Sequence, residues 1–403
     1  MYDILDGVRV VEAAGYLMVP TAAAVLADWG ADVIKVEHPV SGDPYRGLRN
    51  DAVQPGMQNP MLELPNRGKR SVGIDISTPD GIEVLYELIR KADVFLTSFM
   101  MPTLTRLKLD WESVHAINPK VIYARGSGYG PRGPDANTPG FDLAATWARG
   151  GFIHRMTPPN ADEPVQFPGS VGDLTGGLTL ASGVTGALFK RSRTGEGLQV
   201  DVSLYHMGMW IMAQSIGAAP LGLAPVATQH SREKVRNPLV NSYRTRDQRW
   251  IVLCILQSDK FWDDFCAHIE RPDMIHDARF ADIFLREEHS RELVHVLDGV
   301  FAEREFDDWR MRLQTMKGVW APALSANEIA VDPQVAANDY FAQVEADDGT
   351  TFRSVASPIQ YGGETIGPLR AMPEHAQHTE EVLLELGWTW DDLIRLKDAS
   401  AIS

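Results

Sequence analysis

The sequence predicts an α/β fold: a large domain around a Rossmann-like parallel sheet, made of both chain ends, joined to a smaller α+β domain. Three observations carry this. Short apolar strands alternate with helical stretches through the N-terminal half. A hairpin followed by charged helices interrupts that rhythm in the middle. The C-terminal stretch is too small to stand alone and is expected to pack back on the first part. Repeated strand–helix–strand units demand a parallel sheet with helices on both faces and right-handed crossovers.

Residues 8–11 form a short apolar run, 21–29 read as a helix ended by Gly30, and Asp32–Glu37 returns as a strand. Residues 71–76 alternate like a strand. Ser77-Thr78-Pro79 then supplies an N-cap and a first-turn proline for a helix through Lys91. Further apolar runs at 94–96 and 121–124 flank helical sequence around 111–117. Residues 242–246 and 250–256 resemble a hairpin turning at Asp247-Gln248, with charged helices from Asp259 to about Gln314, and 379–397 reads as a long helical stretch. The expected organisation is 1–205 for the N-terminal part of the large domain, 206–232 as linker and 233–320 as small domain. Residues 321–403 form a second linker and the C-terminal part returning to the large domain. A chain of 403 residues exceeds what one small core organises.

Lys and Arg number 38 against 54 Asp and Glu, a formal charge of −16. With no Lys/Arg-rich block to offset it, nucleic acid is excluded as a partner. The two cysteines, Cys254 and Cys266, form neither a disulfide framework nor a metal spacing. They fit a reducing cytoplasm, and the N-terminal sequence lacks the basic start and apolar stretch of a signal peptide. The nearly uncharged run 207–226 contains Gln214, Pro220 and Pro225. It reads as a buried helix followed by a linker, not a membrane span.

An acid ending the second strand, Glu37, suggests dinucleotide binding. The turn after the first strand, however, is Ala13-Ala14-Gly15-Tyr16-Leu17-Met18, and its single glycine does not let a pyrophosphate approach the backbone. The cluster Gly126-Ser127-Gly128-Tyr129-Gly130 is followed by Pro131 and Pro134, which forbid a helix directly after it. No P-loop, HExxH or GxSxG pattern is present, and His375 and His378 fit a capping or solvating role better than a metal site.

The segment Gly169-Ser170-Val171-Gly172-Asp173-Leu174-Thr175-Gly176-Gly177 places four glycines within nine positions and an acid where a turn becomes a helix. Glycines let a large ligand near the backbone, and an acid there feels the positive end of the helix dipole. Spacing alone favours Asp173 as a simple N-cap.

Motifs along nearly the whole chain resemble the class III coenzyme A-transferases, the family of formyl-CoA:oxalate and carnitine CoA-transferases and of α-methylacyl-CoA racemases. The resemblance opens with Leu5-Asp6-Gly7-Val8-Arg9-Val10-Val11-Glu12 and continues with Leu26-Ala27-Asp28-Trp29-Gly30-Ala31-Asp32 and Asn66-Arg67-Gly68-Lys69-Arg70-Ser71. It then takes in Gly140-Phe141-Asp142, Gly172-Asp173, and Thr194-Gly195-Glu196-Gly197-Leu198-Gln199-Val200-Asp201, and ends with Gln377-His378-Thr379-Glu380-Glu381.

The resemblance implies that Asp173 is a nucleophile that attacks an acyl-CoA thioester, passing through an aspartyl anhydride and an aspartyl-CoA thioester. It implies coenzyme A and acyl-CoA as substrates, a small carboxylic acid as the second substrate, no permanently bound cofactor or metal, and an interlocked homodimer. By the same resemblance His38, Ile74, Ser77, Ser98, Phe99 and Arg106 lie along the coenzyme A site, with Lys69 and Arg70 serving either the cofactor or the sheet edge. Racemases of the family carry a histidine base after the glycine of Gly140-Phe141-Asp142, and a phenyl ring abstracts no proton. Transfer is therefore favoured over the alternatives, an acyl-CoA racemase or a CoA-ester-binding protein without turnover. Two departures stand out: Arg236-Asn237-Pro238-Leu239 occurs where formyl-type members have a glycine run, and Ala376 where the family commonly has glycine.

Overall fold

The computed structural model describes residues 1–48, 53, 58–165, 169–223 and 231–403. The chain divides into two compact units, one comprising Met1–Arg155, Pro164–Pro225 and Gln334–Ser403, the other Met156–Glu163 and Val226–Pro333.

The first unit is built on a six-stranded sheet of β1 (Arg9–Ala13), β2 (Asp32–Glu37), β3 (Arg70–Gly73), β4 (Val94–Thr97), β5 (Ile122–Ser127) and β6 (Leu198–Ser203), in the order β3-β2-β1-β4-β5-β6. Every pairing is parallel. Alternate strand residues face opposite layers. Val11, Ile34, Phe95 and Tyr123 pack with Val84, Leu88 and Val114 on one side. Val10, Val33, Leu96 and Ile122 pack with Leu26, Leu180 and Val184 on the other.

On that second side lie helix α1 (Met18–Asp28), buried along its whole length, and the helix Val171–Thr194. The two approach so closely that a Cβ on Gly177 would stand 2.7 Å from the Met18 carbonyl oxygen. α1 begins earlier than the expected 21–29. Pro20 falls in its first turn, where its missing N–H costs nothing.

β3 stops at Gly73, short of the expected residue 76; beyond it Ile74 N–H donates to the Glu37 carbonyl at 2.8 Å and Ile74 bridges to Ile402. The C-terminal stretch covers this edge: His378 N–H donates to the Ser71 carbonyl at 2.8 Å, and Gly73 N–H to Thr379 Oγ1 at 3.0 Å. The expected single helix 379–397 is in fact two, Thr379–Leu386 and Trp390–Asp398. They are parted at Gly387 (φ 97°) and restarted by a Thr389–Asp392 capping box. Ala376 sits at φ 59°, the left-handed region where a glycine is at ease. A small sheet of Phe341–Glu345, Thr351–Val355 and Leu369–Arg370 completes the unit.

The second unit has a three-stranded antiparallel sheet, Val240–Arg244, Trp250–Cys254 and Trp320–Pro322, with the expected turn at Gln248 in the left-handed region (φ 67°). Helices including Ser258–His268, Ser290–Phe301 and Phe306–Leu313 pack on it, with Tyr243 stacked on Phe301 at 5.1 Å.

The apolar run 207–226 is not the buried helix expected. Met207 and Gly208 are buried, but Trp210 and Leu221 are each 72% exposed. Its last residues, with 224–230 of the expected 206–232 linker, lie outside the described residues. Among the described residues no helix is long and apolar enough to cross a membrane.

Candidate active site

In a doubly wound sheet the loops part where strand order reverses, and ligands settle in the crevice at the strand C-termini. Here the reversal lies between β1 and β4. Their following segments, Gly15-Tyr16 and Ser98-Phe99, face each other, with Gly15 N–H donating to Ser98 Oγ at 3.3 Å. Two clefts open on this crevice and share Gly15, Tyr16, Ser98, Phe99 and Met100 as walls.

The first cleft, about 470 Å³, is lined by His38, Ile74, Ser98 and Phe99. Four of the six residues expected along coenzyme A thus meet in one place. His38 is held by its own loop, its Nδ1 accepting the Val40 and Ser41 N–H groups at 3.2 Å each. Ser77 and Arg106 are not on the lining. Ser77 is tied to Asp75 through its N–H (2.9 Å) and Oγ (2.6 Å). Arg106 is exposed at the end of the helix Met101–Arg106, one turn beyond Thr103, which does line the cleft.

The second cleft, about 230 Å³, is bordered by Asp173, Phe141 and Tyr16. Asp173 belongs to the first turn of the helix Val171–Thr194 but is not its N-cap; that position is Ser170. The simple capping role is therefore not what the side chain performs. Among the described residues no hydrogen-bond donor reaches its carboxylate.

Neighbouring Gly172 donates its N–H to Asp142 Oδ1 at 3.1 Å, which pins the Gly140-Phe141-Asp142 segment to the helix start. The approach is so close that a Cβ on Gly172 would fall 2.2 Å from that oxygen and 2.1 Å from Thr146 Oγ1. Burial, reinforced by the Asp142 charge, pushes the Asp173 carboxyl from 3.8 up to about 7. Asp142 itself is raised by burial. Phe141, where a racemase base would stand, meets Tyr16 edge to face at 5.0 Å.

Beneath the crevice lies a buried ionic cluster that the residue-by-residue reading missed. Lys35 Nζ is 2.7 Å from Glu12 Oε1 and 2.8 Å from Asp43 Oδ2, and Lys69 Nζ is 2.5 Å from Glu12 Oε2, all with side chains fully enclosed. Asp43 Oδ1 in turn accepts the N–H of Tyr16 at 3.0 Å. Tyr16 stands at φ 66°, a conformation costly for a non-glycine residue and held here by that bond. Charged residues inside apolar strands, Glu12 in β1 and Lys35 in β2, were the available signal.

Lys69 and Arg70, left open between cofactor and sheet edge, are both engaged internally. Arg70 pairs with Asp32 at 2.7 Å and Glu385 at 2.9 Å. His375 and His378 bond backbone, the His38 carbonyl at 3.0 Å and the Ser71 N–H at 3.2 Å.

A pH prediction arises here. A carboxylate is a nucleophile only when ionised, so any reaction at Asp173 should rise in kcat/KM with pH through about 7 and level off above it. Stability runs the other way. The folded state holds the Asp173 proton after an unfolded chain has released it, as it does for Glu63, raised from 4.5 to about 7 by burial. Both groups therefore favour the folded state most at low pH and lose that contribution as pH rises from about 4 to about 7. Paired pH profiles of rate and urea midpoint check both signs.

A model of CoA-transferase family III matches residues 5–379. The chain is 32% identical over 401 residues to the (R)-2-hydroxy-4-methylpentanoate CoA-transferase of Clostridioides difficile, covering 99% of each chain. It is 30% identical over 398 residues to the cinnamoyl-CoA:phenyllactate CoA-transferase of Clostridium sporogenes, covering 98% of this chain and 96% of that one. Among solved structures, a CaiB/BaiF family protein from Brucella suis superposes with a TM-score of 0.83 at 26% identity, over 95% of this chain and 99% of that one.

Proposed function

The chain belongs to CoA-transferase family III, and from that membership we propose that it moves coenzyme A from an acyl-CoA donor to a carboxylic acid acceptor with Asp173 as covalent nucleophile. The observation that carries the reading is the Asp173 carboxylate itself. It borders a cleft that shares walls with the one holding His38, Ile74, Ser98 and Phe99, and among the described residues no donor reaches it. A thioester seated with its pantetheine along Ser98-Phe99 would bring its carbonyl into the Asp173 cleft.

The carboxylate attacks that carbonyl carbon, forming an acyl–aspartyl anhydride and releasing CoA thiolate. The thiolate attacks the aspartyl carbonyl, giving an aspartyl-CoA thioester and the free donor carboxylate. The acceptor carboxylate then attacks the thioester, and the returning thiolate takes the new acyl group, restoring Asp173. No net proton is transferred. The protein's work is to keep the thiolate close and water out, since the intermediates hydrolyse readily. The partly enclosed Asp173 and the apolar residues around it suit that work, and Phe141 supplies no second base for racemisation.

The same reading includes a cytoplasmic location, Ser77 and Arg106 as outer coenzyme A contacts, and an interlocked homodimer covering the exposed Trp210, Leu221 and Leu223. It keeps 1–205 and 321–403 as the coenzyme A-binding domain, with 233–320 as the small domain.

The test is chemical trapping. Incubation with acyl-CoA thioesters followed by hydroxylamine or borohydride should yield a modified peptide bearing Asp173, read by mass spectrometry. Measurable transfer with that peptide unmodified would rule out the covalent route.

A further inference from the structure

We propose that Arg125 is the carboxylate-binding cation of the Asp173 cleft, its guanidinium holding a carboxylate of the acid or acyl substrate there; the inference rests on the transferase reading above. Arg125 stands in β5 opposite Thr97 of β4 and Asp201 of β6. Its Nε donates to Asp201 Oδ1 at 3.1 Å. The rest of the fork is unspent. Among the described residues Nη2 is enclosed without a partner, and Nη1 is neither bonded nor enclosed.

A guanidinium that serves only the fold spends its donors. Arg67, in the same unit, bonds Asp28 through Nε and Nη2 at 3.0 and 2.6 Å, and the Val355 carbonyl through Nη1 at 2.7 Å. Arg125 is about as enclosed, at 3% exposure against 2%, yet leaves both terminal nitrogens idle. Its neighbour Asp201 also accepts Gln199 Nε2, at 2.8 Å. An enclosed cation short of acceptors is costly, and an arriving anion offsets that cost.

Arg125 borders the same cleft as Asp173 and is the one basic side chain among the described residues of its lining. It is not consumed by the nucleophile. Burial and the Asp142 charge set the Asp173 carboxyl, both raising it. Transfer nevertheless brings a free carboxylate into this acidic place twice, once as it leaves and once as it attacks. Like charges repel strongly where water is scarce, and a cation on the wall answers that repulsion. Guanidinium nitrogens also match carboxylate oxygens in geometry.

The experiment follows exchange of CoA between propanoyl-CoA and acetate, with adipoyl-CoA as a second donor. Arg125→Gln should raise KM for acetate at least about tenfold, while KM for propanoyl-CoA moves by less than about threefold. Asp201→Asn breaks the same ion pair but keeps the cation, and should leave both values within about threefold of native. If Arg125→Gln does not fold, Arg125→Gln/Asp201→Asn strands no charge and is read against Asp201→Asn. A rise for adipoyl-CoA alone would assign Arg125 to a second carboxylate on the acyl chain, not to the reacting one. Acetate and adipoyl-CoA both unchanged, or an equal rise for acetate and propanoyl-CoA, would overturn the assignment while leaving transfer intact. Absence of exchange in the native chain would instead remove the transferase reading. Binding then decides, through the carboxyl resonance of carbon-labelled acetate. Broadening by the native chain that Arg125→Gln abolishes supports the site; equal broadening by both, or none by either, overturns it.

Discussion

Asp173→Asn is expected to reduce CoA transfer by at least about 10⁴-fold, with KM for the acyl-CoA little changed, because the carboxamide keeps the side chain's shape and removes its nucleophilic oxygen. The fold should survive. In the native protein this carboxylate has no donor partner among the described residues and is raised to about 7 by burial, so a neutral amide relieves a desolvated charge at alkaline pH. A urea midpoint at pH 8 equal to or above that of the native chain, together with lost exchange, is the expected pair of results. Exchange that persists in this variant, measured by transfer of acyl groups between thioester and free acid, would remove Asp173 from the chemistry.

The second large effect concerns stability. Glu12→Ala is expected to cost about 3–5 kcal/mol, because it leaves Lys69 and Lys35 enclosed without the carboxylate they share. Burial already drives the Lys69 ammonium from 10.5 down to about 8, despite Glu12. Without that anion Lys69 should release its proton at neutral pH. The double variant Glu12→Ala/Lys69→Met should recover part of the loss, since the uncompensated cation goes with the anion.

Activity should fall alongside stability. The cluster reaches the crevice through Asp43, which holds Tyr16 at φ 66° between the two clefts. By contrast, Glu83→Ala, which breaks an exposed pair with Arg90, is expected to change stability by less than about 1 kcal/mol. Urea midpoints of the three variants check this ordering. A Glu12→Ala midpoint equal to that of Glu83→Ala would mean the buried network carries no net stability.

Local pattern was enough for much of the sheet. Asp32–Glu37 was delimited to the residue, and the strands near 9, 94 and 122 to within a few positions, because apolar runs bounded by turns are signals written in neighbouring residues. The helix Pro79–Arg90 announced itself through Thr78, whose Oγ1 accepts the Gly81 N–H. Where local signals competed, boundaries slipped. Pro20 hid the start of α1, and Gly387 broke a helix that periodicity alone would run together. β6 begins inside the motif at 194–201, and its Leu198, Val200 and Val202 alternate with Gln199 and Asp201 as an edge strand should.

The order of the residues thus sufficed to mark an α/β chain with a glycine-lined helix start carrying Asp173, since spacing, capping and alternation are properties of neighbours. Only the folded chain decided that Lys69 and Arg70 are consumed in internal ion pairs and that Trp210 stays exposed. It also brought Asp142, thirty positions earlier, to brace Gly172. Those outcomes depend on which distant side chains share an enclosed space, where losing water forces each charge to find a partner or shift its protonation.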